Sequence, residues 1–233
     1  MANVLMVVSA ADSLTMRDGS EHPTGYWAEE LVVSHKTLLD AGHTVHIATP
    51  GGVKPTVDQV SLLDDPAGGK ERADGFRDYI ASIDAELSAP LVLAEVNAES
   101  YDAVVMPGGH GPMTDLYKDT DLGQLLIAAN TAGAIIAPFC HGPAGLLSAV
   151  DTDGKFAFEG RRLTVFTNEE ELNGGTGPNT PWFVEDALQE KGAIIENAGA
   201  WSSHVVRDGN LITGQNPQSS EDVAKEVIKA LQQ

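Results

Sequence analysis

The only cysteine of the chain, Cys140, stands in Phe139-Cys140-His141-Gly142-Pro143, at the end of the apolar stretch Ala134 to Phe139. A strand that turns at once into a helix makes a sharp bend and exposes the side chain at its apex, as in a nucleophile elbow. A thiol there lies at a helix N-terminus, where the dipole favours the thiolate and lowers the pKa. Free cysteines are more often buried and inert, but the place after a strand and the adjoining histidine point to a nucleophile. The N–H of His141 can combine with that of Gly109, from Pro107-Gly108-Gly109-His110-Gly111, to form an oxyanion hole. The glycines of that loop let the backbone approach a ligand, although a plain tight turn would use the same residues.

An activated cysteine also needs a proton acceptor and a group that orients it. Because His141 is the next residue, its ring points away from the thiol unless the elbow turns it back. Carboxylates are offered from two places. Glu29 and Glu30 lie on the first helix, whose apolar phase turns one of them toward the sheet without saying which. Glu169, Glu170 and Glu171 follow the strand around Leu163 to Phe166, as either a solvated charge run or the source of an acid for the imidazole.

These residues need a scaffold that gathers strand ends. Val4 to Ser9 is a short apolar run suited to a strand buried on both faces. A polar loop covers Ala11 to Gly25, and a helix is expected from Tyr26 to Ala41, ended by Gly42. Val45 to Ala48 is the next strand. Thr49 to Pro90 breaks the rhythm with turn-rich, charged sequence, so it reads as an insertion of about 50–90, with a helix from Phe76 to Leu87 packing over the sheet. Strands then resume at Ala103 to Met106 and Ala134 to Phe139, around a helix near Leu122 to Asn130, and a short helix runs on to Val150. Further strands at Leu163 to Phe166 and Ala193 to Ile195 flank a helix near Trp182 to Lys191. A hairpin on Asp208-Gly209 and a helix from Ser220 to Leu231 close the chain. The alternation implies one α/β domain spanning residues 1–233, with a mostly parallel sheet and helices on both faces. In such sheets ligands bind beyond the carboxyl ends of the strands, where Cys140 and the glycine loop fall.

Composition narrows the function. Among 233 residues, 34 Asp and Glu oppose 14 Lys and Arg, a net charge of −20. A surface so acidic repels phosphate backbones and anionic lipid heads, which excludes general nucleic-acid or membrane-surface binding. No apolar run approaches the roughly 20 residues that span a bilayer. One cysteine excludes an intrachain disulfide, and no basic leader precedes the first strand, so a soluble cytoplasmic protein is expected.

The segments Thr24-Gly25-Tyr26-Trp27-Ala28-Glu29-Glu30-Leu31, Met106 to Leu116, the Cys140 elbow and Ile212 to Ser220 together resemble the ThiJ/PfpI superfamily, also called class I glutamine amidotransferase-like. The likeness is greatest to its branch of heat-shock chaperones and glyoxalase III enzymes. That resemblance implies a flavodoxin-like three-layer sandwich, a homodimer, and glutathione-independent conversion of a small α-oxoaldehyde, methylglyoxal, to D-lactate, with no metal or organic cofactor. Carried onto this chain, it assigns the nucleophile to Cys140, its partner to His141, the helix acid to Glu30 and the orienting acid to Glu171, with Glu170 the alternative if the spacing shifts by one. Two other readings suit the same residues. One is a holdase chaperone, which needs exposed apolar area. The other is a hydrolase or amidotransferase, for which the late His204 lacks the glutamate of an H-x-E segment. A low-pKa cysteine would also suit a redox sensor.

Overall fold

Val4, Met6 and Val8 face one apolar cluster and Leu5 and Val7 another, so the alternation of side chains along the first strand feeds a core on each face of the sheet. The computed structural model describes residues 1–233. After that strand, β1 (Asn3–Val7), come a small antiparallel pair, β2 (Ser13–Thr15) and β3 (Glu21–Pro23), then helix α1 (Ala28–Asp40) and strand β4 (Thr44–Thr49). Helices α2 (Asp64–Ala67), α3 (Lys70–Ser82) and α4 (Asp84–Ser88) lead to β5 (Leu91–Val92), β6 (Ala103–Met106), α5 (Thr120–Ala132) and β7 (Ile135–Pro138). The remainder is β8 (Arg162–Leu163), α6 (Asn168–Gly174), α7 (Val184–Glu190), β9 (Ile194–Ile195), β10 (Val205–Asp208), β11 (Leu211–Gly214) and α8 (Ser220–Ala230).

The seven-stranded central sheet has the order β10-β11-β7-β6-β1-β4-β5 and is parallel except for the β10–β11 hairpin at its edge. Leu122, Leu126 and Leu188 of α5 and α7 cover the face of Leu5 and Val7. Leu31, Leu38, Val223 and Val227 of α1 and α8 cover the face of Val4 and Met6. This is the expected three-layer α/β sandwich. The chain runs outward from β1 through β4 to β5, then returns to β6 on the other side of β1. The reversal opens a crevice at the carboxyl ends of β1 and β6, where ligands of open sheets bind.

Several elements differ from the sequence reading. The residues between β1 and α1, expected as loop, contain the β2–β3 pair, whose three-residue strands are too short to show a pattern. In the 50–90 segment the helix is α3, which starts at Lys70 and stops before Ile83, and α4 begins anew at Asp84. Ala73 and Phe76 of α3 pack with Ala28 and Val32 of α1, Tyr79 and Ile80 touch both that cluster and the sheet core, and Ile83 and Leu87 are buried in the sheet core. One expected helix over the sheet is therefore two, with the break at Ile83. Strands β8 and β9 pair with each other outside the central sheet. No helix is long and apolar enough to cross a membrane.

Candidate active site

The elbow forms because two strand ends and one loop leave the chain no straighter path. Beyond β7, Phe139 N–H donates to the Met106 carbonyl at 3.2 Å and Cys140 N–H to the Gly214 carbonyl at 2.9 Å, which fixes the backbone on both sides. The Cys140 carbonyl accepts from Phe166 N–H at 3.0 Å. Between these anchors Cys140 adopts φ +57°, the left-handed region that costs a non-glycine residue roughly 1–2 kcal/mol. The glycine loop after β6 lies directly against the bend. A Cβ on Gly108 would sit 2.6 Å from the His141 nitrogen, and one on Gly142 would sit 2.2 Å from the Met106 oxygen. Only glycine permits that approach.

The bend turns the His141 ring back to the thiol, with Nδ1 3.3 Å from Cys140 Sγ. Nε2 faces Glu171 Oε2 at 2.6 Å. A carboxylate at Nε2 assigns the proton to that nitrogen and leaves the Nδ1 lone pair toward the thiol. Glu171 is held in turn by Thr176, whose N–H and hydroxyl donate to Oε1 at 2.6 and 2.7 Å. His110, read from sequence only as a member of a glycine loop, brings Nε2 to Glu171 Oε1 at 3.1 Å. Its ring lies 4.2 Å from that of His141, and Phe166 covers the other side at 4.4 Å. The histidine inside a PGGHG loop at a strand's carboxyl end was the available signal. Of the three consecutive acids, then, Glu171 reaches the imidazole. Glu169 is exposed, and Glu170 is buried in a different network.

On α1, the two neighbouring acids diverge. Glu29 pairs with Arg72 of α3, whereas Glu30 is wholly buried and its Oε2 accepts from Gly108 N–H at 2.5 Å. Its Oε1 has no conventional hydrogen-bond partner and is left to interact with the Cys140 thiol, outside regular hydrogen-bond geometry. Burial pushes the Glu30 carboxyl up to about 8, against the Gly108 hydrogen bond that favours its anion.

The thiol departs from the sequence expectation. Burial, then the charge of Glu30, drive its pKa well above the ordinary thiol range, with the Gly109 N–H pulling weakly the other way. The helix that was to lower it is a single 3-10 stretch, Gly142–Ser148, with a correspondingly short dipole. Cys140 is thus a neutral thiol at rest. Burial, reinforced by the charge of His110, lowers the pKa of His141 and keeps its ring an unprotonated base. Burial would raise Glu171, but hydrogen bonds from His110 and His141 outweigh it and hold that carboxyl far below the usual range.

Gly109 and His141 N–H donate to no protein oxygen or nitrogen, and the Gly109 amide is directed at the sulfur. Trp27, His110, Phe166 and Trp201 wall a cavity of about 40 Å³ over Cys140. A water-sized group takes about 10–15 Å³ on this measure, so the space suits a molecule of few heavy atoms. His110, His141 and Glu171 also put three ligand atoms within 4.8 Å of one another. Two imidazoles and a carboxylate form a donor set of the kind that holds zinc, a grouping that the sequence spacing had hidden. His204 takes no part, its Nε2 lying 3.0 Å from the Glu196 carbonyl.

This site, a cysteine at positive φ in a strand-to-turn elbow with a buried glutamate from the first helix, can be compared with known proteins. Residues 24–230 match the DJ-1/PfpI family. The chain belongs to that family. Among its DJ-1/PfpI relatives, it is 29% identical to the glutathione-independent glyoxalase HSP31 of Saccharomyces cerevisiae, over 98% of this chain and 97% of that one. It is also 29% identical to the protein/nucleic acid deglycase HchA of Pseudomonas aeruginosa, over 98% of this chain and 80% of the relative. The X-ray structure of the 24 kDa rapid encystment protein of Francisella tularensis superposes with a TM-score of 0.88 at 30% identity, over 99% of both chains. These likenesses support a glyoxalase-type enzyme of the DJ-1/PfpI family.

Proposed function

We propose that this chain converts methylglyoxal to D-lactate without glutathione, through a hemithioacetal on Cys140. The observation that carries the reading is one thiol set between two proton carriers, the His141 ring at 3.3 Å and the buried Glu30 carboxyl, inside a small cavity. The protein's own thiol takes the place that glutathione would fill. As the sulfur bonds to the aldehyde carbon, its proton passes to His141 Nδ1, and the carbonyl pair moves onto oxygen beside the Gly109 and His141 amides. Glu30, protonated at rest, gives its proton to that oxygen and becomes a carboxylate.

A carboxylate whose acid form titrates at about 8 is a stronger base than an ordinary one. It takes the hydrogen of the former aldehyde carbon as a proton, and His141 protonates the neighbouring oxygen, which gives the enediol. Glu30 returns its proton to the second carbon and His141 removes one from the first hydroxyl, leaving the lactate thioester. Water then cleaves the carbon–sulfur bond, its proton going to Glu30 while the departing sulfur is reprotonated by His141. All three groups return to their starting states, and one water is consumed for each aldehyde.

The test follows methylglyoxal by proton NMR with the protein and no added thiol or amine. Appearance of the lactate methyl doublet, oxidised by a D-specific and not an L-specific lactate dehydrogenase, supports the reading. Lactate that appears only when a glycated amine or thiol is supplied favours the deglycase activity for which the Pseudomonas relative is named.

A further inference from the structure

We propose that Trp201, propped by Glu170 and the Gln215-Asn216 pair, is the residue that limits which aldehydes reach Cys140. The indole stands over the cavity, packed edge-on against Phe166 at 5.6 Å, and Phe166 in turn covers the His141 ring. It is 41% exposed, so one face meets solvent while the other roofs the site. Gly174 makes room for it, since a Cβ there would lie 2.5 Å from the indole Cζ2. Besides Cys140, Trp201 is the only non-glycine residue with positive φ, at +62°. Surrounding contacts must impose such a conformation on an aromatic residue.

Those contacts come from residues that the chemistry leaves unused. Glu170 Oε1 accepts the Trp201 backbone N–H at 2.7 Å, Asn216 Nδ2 at 2.8 Å and Gln215 Nε2 at 3.2 Å. Its Oε2 accepts the Thr167 N–H and hydroxyl at 2.9 and 3.0 Å. No cation pairs with this buried carboxylate, so five donors hold its charge. Asn216 and Gln215 also bind the Ser202 carbonyl at 2.8 Å and the Ala198 N–H at 2.8 Å, pinning the loop on either side of Trp201. Consecutive residues of α6 thus serve opposite ends of the site, Glu170 holding the roof and Glu171 the imidazole. The space beneath admits glyoxal or methylglyoxal and rejects aldehydes with branched or aromatic substituents.

The aldehyde arm of the test rests on the proposed glyoxalase activity, and an alkylation arm does not. Cys140 is alkylated in the folded protein with iodoacetamide and with a bulky N-aryl iodoacetamide, each followed by mass spectrometry. Trp201→Ala is expected to raise the ratio of bulky to small rates by about tenfold, with Trp201→Phe retaining most of the selectivity. Glu170→Gln is expected to fall between them, because it loosens the roof without removing the ring. The ratio of phenylglyoxal to methylglyoxal kcat/KM should rise in the same order. An alkylation ratio in Trp201→Ala within about twofold of the parent overturns the proposal. A shifted alkylation ratio with no aldehyde turnover in any form supports the roof and overturns the glyoxalase reading instead.

Discussion

Replacing Glu30 with glutamine should change how stability depends on pH, and its size follows from the burial of that carboxyl. Glu30 titrates at about 8 in the folded protein against 4.5 for a free carboxyl. Between those values the native state keeps a proton that the unfolded chain has released, so stability falls as pH rises. The slope is about 1.4 kcal/mol per pH unit, and over this window the loss reaches, at its upper limit, about 5 kcal/mol. It is absent below the unfolded value and complete above the folded one. Glutamine has nearly the same shape, can still accept from Gly108 N–H, and does not titrate. Urea unfolding of parent and Glu30→Gln, at intervals from about pH 5 to about pH 9 with m unchanged, isolates the term as a difference between curves. The variant should gain on the parent steadily up to about pH 8, then run parallel to it. Curves parallel throughout would mean that Glu30 titrates like a surface acid and cannot serve as the proposed base.

Two further substitutions probe the other parts of the site. Glu171→Gln removes the anion that holds the His141 tautomer, and should lower turnover by about 100-fold or more. It should also cost about 2–3 kcal/mol of stability near neutrality, by leaving buried donors unpaired. Because the folded Glu171 carboxyl is held below its ordinary value, that advantage of the parent is present above pH 4.5 and fades as the pH falls further. Gly108→Ala would press a methyl group 2.6 Å from the His141 nitrogen. It should destabilise by about 1–3 kcal/mol in urea unfolding and lose turnover by about 100-fold through displacement of the elbow. An active, stable Gly108→Ala would contradict the close approach.

The sheet and the elbow were legible because they depend on short-range pattern. Apolar runs that end in Pro107-Gly108-Gly109 and in Cys140-His141-Gly142 mark strand ends whatever the rest of the chain does. The choice between Glu29 and Glu30 was not available from periodicity, since it turns on Arg72, which reaches Glu29 from α3 within the insertion. Likewise Glu170 and Glu171 are both buried, and only the fold shows that Trp201, Gln215 and Asn216 claim the first. His110 is not singled out by sequence because the glycines around it already account for a tight turn, and only the fold brings its ring to Glu171. The raised thiol pKa is hidden from sequence for a related reason. Sequence shows a helix start after the cysteine, but neither that helix's brevity nor the buried carboxyl brought to the sulfur from α1.

The most direct test of the account compares lactate formation from methylglyoxal by the parent and by Cys140→Ala, with no glutathione and equal folded protein. Alanine keeps the elbow backbone and the Glu30 and Glu171 networks, and removes only the sulfur. The account predicts steady production of D-lactate by the parent and none above the uncatalysed rate by the variant. Comparable lactate from both proteins would contradict it.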